Sequence, residues 1–182
     1  ETKYSSPVQI PGTTWANSMI GTGHVFAVKT NGTLWVWGDN SYGSLGQNNR
    51  TDRSSPVQVP GTTWSTGNLK LVCTAQRLCG GIKTDGTLWL WGKNEEGQLG
   101  HNNVDVHYSS PVQVPGTTWN SISYTYNLGV KATKTDGTAW SWGRNMDGRL
   151  GLNNTTSYSS PVQIPGTDWV SGGQGIGMRK NA

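Results

Sequence analysis

A block of five residues, Ser-Ser-Pro-Val-Gln, occurs four times along the chain, with its proline at Pro7, Pro56, Pro111 and Pro161. Each copy leads through Pro-Gly-Thr to a tryptophan at a fixed distance: Trp15, Trp64, Trp119 or Trp169. A second block, Trp-x-Trp-Gly, lies between the copies at Trp35/Trp37/Gly38, Trp89/Trp91/Gly92 and Trp140/Trp142/Gly143, with Leu45, Leu99 or Leu150 and a glycine eight residues after its second tryptophan. The period of 49 to 55 residues suits one blade of a β-propeller and is too long for a leucine-rich or ankyrin unit. The chain therefore reads as a single partial all-β domain. Its repeats span approximately 5–53, 54–108 and 109–158, with a partial fourth over 159–182.

Local chemistry agrees. Asn31-Gly32, Asp85-Gly86 and Asp136-Gly137 sit between apolar runs, which predicts two-residue hairpin turns of type I′. Strand geometry then puts Trp35 and Trp37 on one face and Leu34 and Val36 on the other, so both faces need cover. Stacked blades provide that cover, whereas a sheet with one wet face does not. Pro-Val-Gln is expected to open a short strand, where a proline loses no ladder bond. All ten tryptophans occupy repeat positions and read as core: Trp15, Trp35, Trp37, Trp64, Trp89, Trp91, Trp119, Trp140, Trp142 and Trp169.

Composition removes several classes. With ten tryptophans and only 13% charged residues the chain is expected to fold. The basic residues are scattered singly, so no nucleic-acid footprint is present. No apolar run is long enough to span a bilayer, and Glu1 onwards shows no leader pattern, so the chain as it stands reads as soluble. Cys73 and Cys79 would close a small loop in an oxidising compartment and remain thiols in a reducing one. The Asn-x-Ser/Thr sequons at Asn31, Asn49, Asn153 and Asn154 do not fix the compartment in so Asn- and Thr-rich a chain.

Candidate chemistry is sparse. His101, Asp105 and His107 have a spacing that could gather metal-ligand atoms on one loop. The other repeats carry Asn, Thr and Ser there, which favours a polar inter-blade loop. Glu95/Glu96, Asp39 and Asp147 recur in one turn, which suits turn chemistry better than acid/base catalysis. No phosphate loop or Gly-x-Ser-x-Gly elbow occurs, so neither an enzyme nor a cofactor is expected.

Asp-Gly-Thr-Leu-Trp-x-Trp-Gly, then x-Asn-x-x-Gly-x-Leu-Gly and a downstream Pro-Val, resembles the repeat of the regulator of chromosome condensation family, particularly its bacterial and viral forms. The resemblance covers nearly the whole chain, three times in full and once in part. It implies a propeller of about seven four-stranded blades whose loops make the contacts. Gly21, Gly23 and His24 fit the segment that usually precedes the hairpin in such repeats; the second repeat has only Arg77 nearby and the third no clear equivalent. The ring is left open, to be completed by a longer chain, a second copy or other subunits. A longer chain is favoured, because Ala182 falls inside the fourth unit.

The function expected is a non-enzymatic scaffold that binds protein through its loops. The candidate contacts are Tyr42, the loop from Gln47 to Arg53 with Asn48, Asn49, Arg50 and Arg53, and the loop from His101 to Tyr108 with Asn102, Asn103, His107 and Tyr108. Low charge and richness in Asn, Thr, Ser and Gly point to an extracellular or virion-associated protein. A secreted enzyme inhibitor and a guanine-nucleotide exchange factor are alternatives within the fold. The repeats are too uniform to display an exchange loop, and the Gly-Trp-Arg-His segments of the plant photoreceptor relative are absent. A glycan-binding module is the competitor from another class, and exposure of Trp15, Trp64, Trp119 or Trp169 would favour it.

Overall fold

Strands with two apolar faces are covered here by sheet lying on sheet. The computed structural model describes residues 6–75, 77–125, 128–172 and 175–179; Ser5 and residues 180–182, the outer limits of the first and fourth sequence repeats, lie outside them. The first sheet is β1 (Trp15–Ile20), β2 (His24–Lys29), β3 (Leu34–Gly38) and β4 (Arg53–Gln58). The second is β5 (Leu71–Cys73), β6 (Leu78–Ile82), β7 (Leu88–Gly92) and β8 (Tyr108–Gln113). The third is β9 (Trp119–Thr125), β10 (Gly129–Lys134), β11 (Ala139–Gly143) and β12 (Tyr158–Ile164), beside a two-stranded piece, β13 (Trp169–Gly172) and β14 (Gly175–Arg179). Each four-stranded sheet is an antiparallel meander in chain order, the form of a propeller blade. No helix forms among the described residues, and none is long and apolar enough to cross a membrane.

Two local expectations are corrected. The hairpin between β2 and β3 is a three-residue loop, not a two-residue type I′ turn. The Gly32 N–H donates to Lys29 O (2.9 Å), the Lys29 N–H donates to Thr33 O (2.9 Å), and only Gly32 (φ 76°) is left-handed. This is a type I turn closed by a glycine bulge. Lys83 to Thr87 and Lys134 to Thr138 repeat the pattern. The carboxylate of Asp85 takes the Thr87 hydroxyl (2.6 Å) and N–H (2.9 Å), which lowers its pKa, and Asp136 does the same with Thr138. The side chain thus stabilises a bulge that the dipeptide alone does not distinguish from a tighter turn.

Proline does not open its strand either. β4 starts at Arg53, three residues before Pro56, and the Ser-Ser-Pro-Val-Gln block closes the blade before it as an edge strand. Pairing between β3 and β4 shifts between Val36 and Gly38, so Ser54, Ser55 and Pro56 pass through an irregular stretch opposite Trp37. The same shift recurs between Leu90 and Gly92 and between Ser141 and Gly143. An edge position at an irregularity is where a missing N–H is tolerated.

The core lies in the two seams between sheets. Phe26, Leu34 and Val36 of the first sheet meet Trp64, Leu71 and Trp91 at one seam. Leu78, Leu88 and Leu90 of the second meet Trp119, Ile122 and Trp142 at the other. A hydrogen bond pins each seam: the Trp91 indole donates to Ser44 O (2.8 Å) and that of Trp142 to Gln98 O (2.9 Å). The backbone adds a second link, because Trp64 N–H donates to Gly32 O and Trp119 N–H to Gly86 O (2.9 Å each). One blade's hairpin thereby holds the entry to the next.

Candidate functional site

After each Trp-x-Trp-Gly the chain leaves its sheet and returns at the edge strand, and a buried asparagine organises the excursion. Asn40, Asn94 and Asn145 are at most 1% exposed. The Asn40 Oδ1 accepts the Leu45 N–H (2.9 Å), while its Nδ2 donates to Asn49 O (2.9 Å) and Thr51 O (3.1 Å). Asn145 makes the same bonds to Leu150, Asn154 and Thr156, and Asn94 makes the first two with Leu99 and Asn103. Their backbone N–H groups end on Asp52, His107 and Ser157, one acceptor per blade. Asn94→Ala should cost about 3 kcal/mol, since it strands the Leu99 N–H and the Asn103 carbonyl inside the protein. A fall in the urea midpoint, with Asn94→Asp intermediate, is the expected result.

This brace absorbs several expected contact residues. Asn49 and Asn103 turn their amides inward, Asn49 onto Gln47 O (2.9 Å) and Asn103 onto Tyr108 Oη (2.9 Å). Asn48 and Asn102 are left-handed (φ 54° and 56°), and their N–H groups reach the next blade's edge strand at Ser109 O and Ser159 O. Tyr42 is half-buried in the first seam, with its ring 5.5 Å from His107 and the Arg77 guanidinium 4.9 Å over it. Tyr108 opens β8, and Arg53 opens β4 with its Nε buried. Arg50 is exposed.

His101, Asp105 and His107 are not brought to one point. The His101 ring lies 5.2 Å from Tyr108, where burial lowers its pKa. His107 spends Nδ1 on Asn94, and Asp105 is exposed and left-handed (φ 60°). Of the acidic residues, Asp39 pairs with Arg77 across the seam (2.8 Å), while Glu95 and Asp147 pair with Lys93 and Arg149 inside their own turns. Bonds from Ser41 and then Arg77 hold the Asp39 carboxyl below its ordinary range.

Outward positions differ from blade to blade while the brace stays the same. The loops read Gln-Asn-Asn-Arg-Thr-Asp, His-Asn-Asn-Val-Asp-Val-His and Leu-Asn-Asn-Thr-Thr-Ser, so the middle one has an extra residue. The insertion leaves Val104 (52%) and Val106 (45%) in solvent around Asp105, whose N–H is fastened to Asn94 O (2.6 Å). Both valines lie inside the His101 to Tyr108 loop expected to make contacts, although the polar residues of that loop were the ones singled out.

At the hairpin end of each blade a lysine is held between two tryptophans. Lys29 lies 4.9 and 4.2 Å from the rings of Trp15 and Trp35, Lys83 lies 5.1 and 4.3 Å from Trp64 and Trp89, and Lys134 lies 4.8 and 4.5 Å from Trp119 and Trp140. The signal stood in the sequence unread: each lysine is two residues before the turn Asn or Asp. Trp64 (1%) and Trp119 (2%) are too buried to stack on a sugar, and Trp15 and Trp169 are half-buried.

One cluster has no counterpart in the motifs. His24, Cys73 and Cys79 are buried, and their Nε2 and Sγ atoms all lie within 4.8 Å of one another. Burial opposes charge on Cys73, but hydrogen bonds to Cys79 and His24 outweigh it and bring that thiol down to about 6. Burial, with the neighbouring sulfur, pushes Cys79 well above the usual thiol range. Burial alone would lower the His24 pKa, yet contact with Cys73 turns the shift upward. His24 is 49 and 55 residues from the two cysteines, so only the stacking of blades could bring the three together.

Comparison with known proteins agrees with the geometry. The human E3 ubiquitin-protein ligase HERC2 is 28% identical over 139 residues, which cover 75% of this chain and 3% of that protein. The Ultraviolet-B receptor UVR8 of Arabidopsis thaliana is 33% identical over 141 residues, 74% of this chain and 30% of the receptor. The chain thus spans under a third of either relative. Prp20p from Saccharomyces cerevisiae superposes with a TM-score of 0.67 at 19% identity, covering 83% of this chain and 38% of that one. Human WBSCR16 gives 0.67 at 19%, covering 86% and 39%. The model of the "Regulator of chromosome condensation (RCC1) repeat" matches residues 31–72, 85–124 and 136–175, more than half of the chain. Each match runs from one blade's hairpin turn through its last two strands into the first strand of the next, and the chain belongs to the regulator of chromosome condensation (RCC1) repeat family.

Proposed function

We propose that the chain is a non-enzymatic scaffold that binds protein through its asparagine-braced excursions, centred on Val104 and Val106 of the middle blade. One observation carries this reading: the same buried bonds fix every excursion while the side chains facing water change from blade to blade. A fixed backbone with exchangeable side chains loses little entropy on binding, and an exposed apolar pair between polar neighbours suits the centre of a small protein contact. Yeast Prp20p, which shares the fold, is described by its binding to Gsp1p and histones and has been solved with Kap60 bound.

The two end faces fit the same reading, since they call for further blades. Trp37 is half-buried, whereas the equivalent Trp91 and Trp142 are fully buried. At the other end a Cβ on Gly151 would meet nothing within 4 Å among the described residues, whereas at Gly46 and Gly100 it would touch the next blade's indole.

Displayed small domains selected against the chain test the location of the contact. Binders should lose at least about tenfold in affinity, about 1.4 kcal/mol, on Val104→Asp or Val106→Asp, and should tolerate Tyr124→Asp on β9. Binders indifferent to both valines would overturn the reading.

A further inference from the structure

We propose that His24, Cys73 and Cys79 form a site for one thiophilic d10 cation, zinc(II) or copper(I), that staples the first blade to the second. His24 opens β2 of the first blade, and Cys73 and Cys79 face each other on β5 and β6 of the second. The cysteines are direct partners in a pair without backbone bonds, since the neighbouring pair is bonded through Thr74 N–H to Leu78 O and the bond from Ile82 N–H to Lys70 O keeps the same alternation. Side chains stand closest at such pairs. Their sulfurs are 3.6 Å apart, and His24 Nε2 is 3.2 Å from Cys79 Sγ. Two thiolates about 2.3 Å from a tetrahedral ion would stand roughly 3.8 Å apart, so the sulfurs need little movement. His24 Nδ1 lies 3.2 Å from Thr22 O, which fixes the ring with Nε2 toward the sulfurs, as an outer partner does in metal sites.

The repeat supplies an internal control. The positions that pair like His24, Cys73 and Cys79 are Leu78, Tyr124 and Val130 at the second seam. Leu78 and Val130 are buried there and Tyr124 is exposed, so none of the three positions offers a thiol or an imidazole and the donor set is peculiar to the first seam. Gly21 completes the arrangement: a Cβ there would lie 2.8 Å from His24 Nε2 and 2.9 Å from Cys73 Sγ, in space its hydrogen leaves open beside both donors. Soft thiolates with one imidazole select zinc(II) or copper(I) over magnesium or calcium. Two thiols give up their protons to solvent on binding, and with zinc(II) the product is neutral, which a buried site favours.

The test uses the full chain, reduced and freed of metal. Cobalt(II) should give the intense near-ultraviolet thiolate charge-transfer band together with tetrahedral d–d bands, at one ion per chain. Zinc(II) titrated against a chromophoric chelator and copper(I) against bicinchoninate then tell the two cations apart; tight binding of either supports the site. His24→Gln and Gly21→Ala should each weaken binding at least about 10–100-fold, with far-ultraviolet dichroism reporting that the sheets persist. The unsubstituted chain decides the matter if a variant fails to fold. Protein isolated with a Cys73–Cys79 disulfide is reduced and held to the same criterion. A folded, reduced chain that leaves both cations with their chelators, or a cobalt complex without the thiolate band, overturns the proposal.

Discussion

Gly100→Ala is expected to lower stability by about 3 kcal/mol, whereas Gly151→Ala, at the equivalent position one blade later, should lower it by only about 1–2 kcal/mol. Both glycines are left-handed (φ 73° and 75°), so a side chain pays the same backbone penalty at each. They differ in what the new methyl meets. At Gly100 it would lie 2.9 Å from Trp142 Nε1 and 3.2 Å from Cε2, and the indole cannot retreat because it is fully buried and bonded to Gln98 O. At Gly151 nothing among the described residues stands within 4 Å. The difference between the two denaturant midpoints, at unchanged slope, isolates the energy of blade contact from that of backbone strain. Equal losses would show that Trp142 does not press on Gly100.

Trp142→Ala should be the most damaging single substitution, at about 3–5 kcal/mol, because it empties a fully buried indole site in the second seam. Trp142→Phe keeps most of the contact and removes the bond to Gln98 O, for about 1–2 kcal/mol. Trp37 is the control within the same molecule. Among the described residues no blade stands before it, so Trp37→Ala should cost no more than about 1–2 kcal/mol. Thermal midpoints of the three variants check the order, and a Trp37 loss equal to that of Trp142 would contradict it.

The architecture was legible because blade contact is written twice in every repeat. Leu34 with Val36 and Trp35 with Trp37 declare both faces of one strand apolar, and only stacked sheets cover both. Hairpin positions were legible for a similar reason, but not their length: Asp85 and Asp136 act through bonds to a threonine two residues on, which the dipeptide does not reveal. The excursions were legible as loops, but the bonds inside them were not. Asn49, Asn103 and Tyr42 look like adaptable contact residues and also hold the loop or the seam, while the exposure of Val104 and Val106 within the His101 to Tyr108 loop is set by an insertion whose course the sequence does not give. His24 with Cys73 and Cys79 was out of reach, since no spacing in one repeat encodes a meeting between two.

The central claim is that each blade's second Trp-x-Trp indole is sealed into the blade before it. Hydrogen exchange of the ten indole N–H groups, read by nitrogen-15 NMR on the monomeric chain, tests this most directly. Trp91 and Trp142 should be protected by about a thousandfold or more, equivalent to about 4 kcal/mol of opening, while Trp37 exchanges close to the rate of a free indole. Fast exchange at Trp91 and Trp142, matching Trp37, would contradict the stacked-blade account.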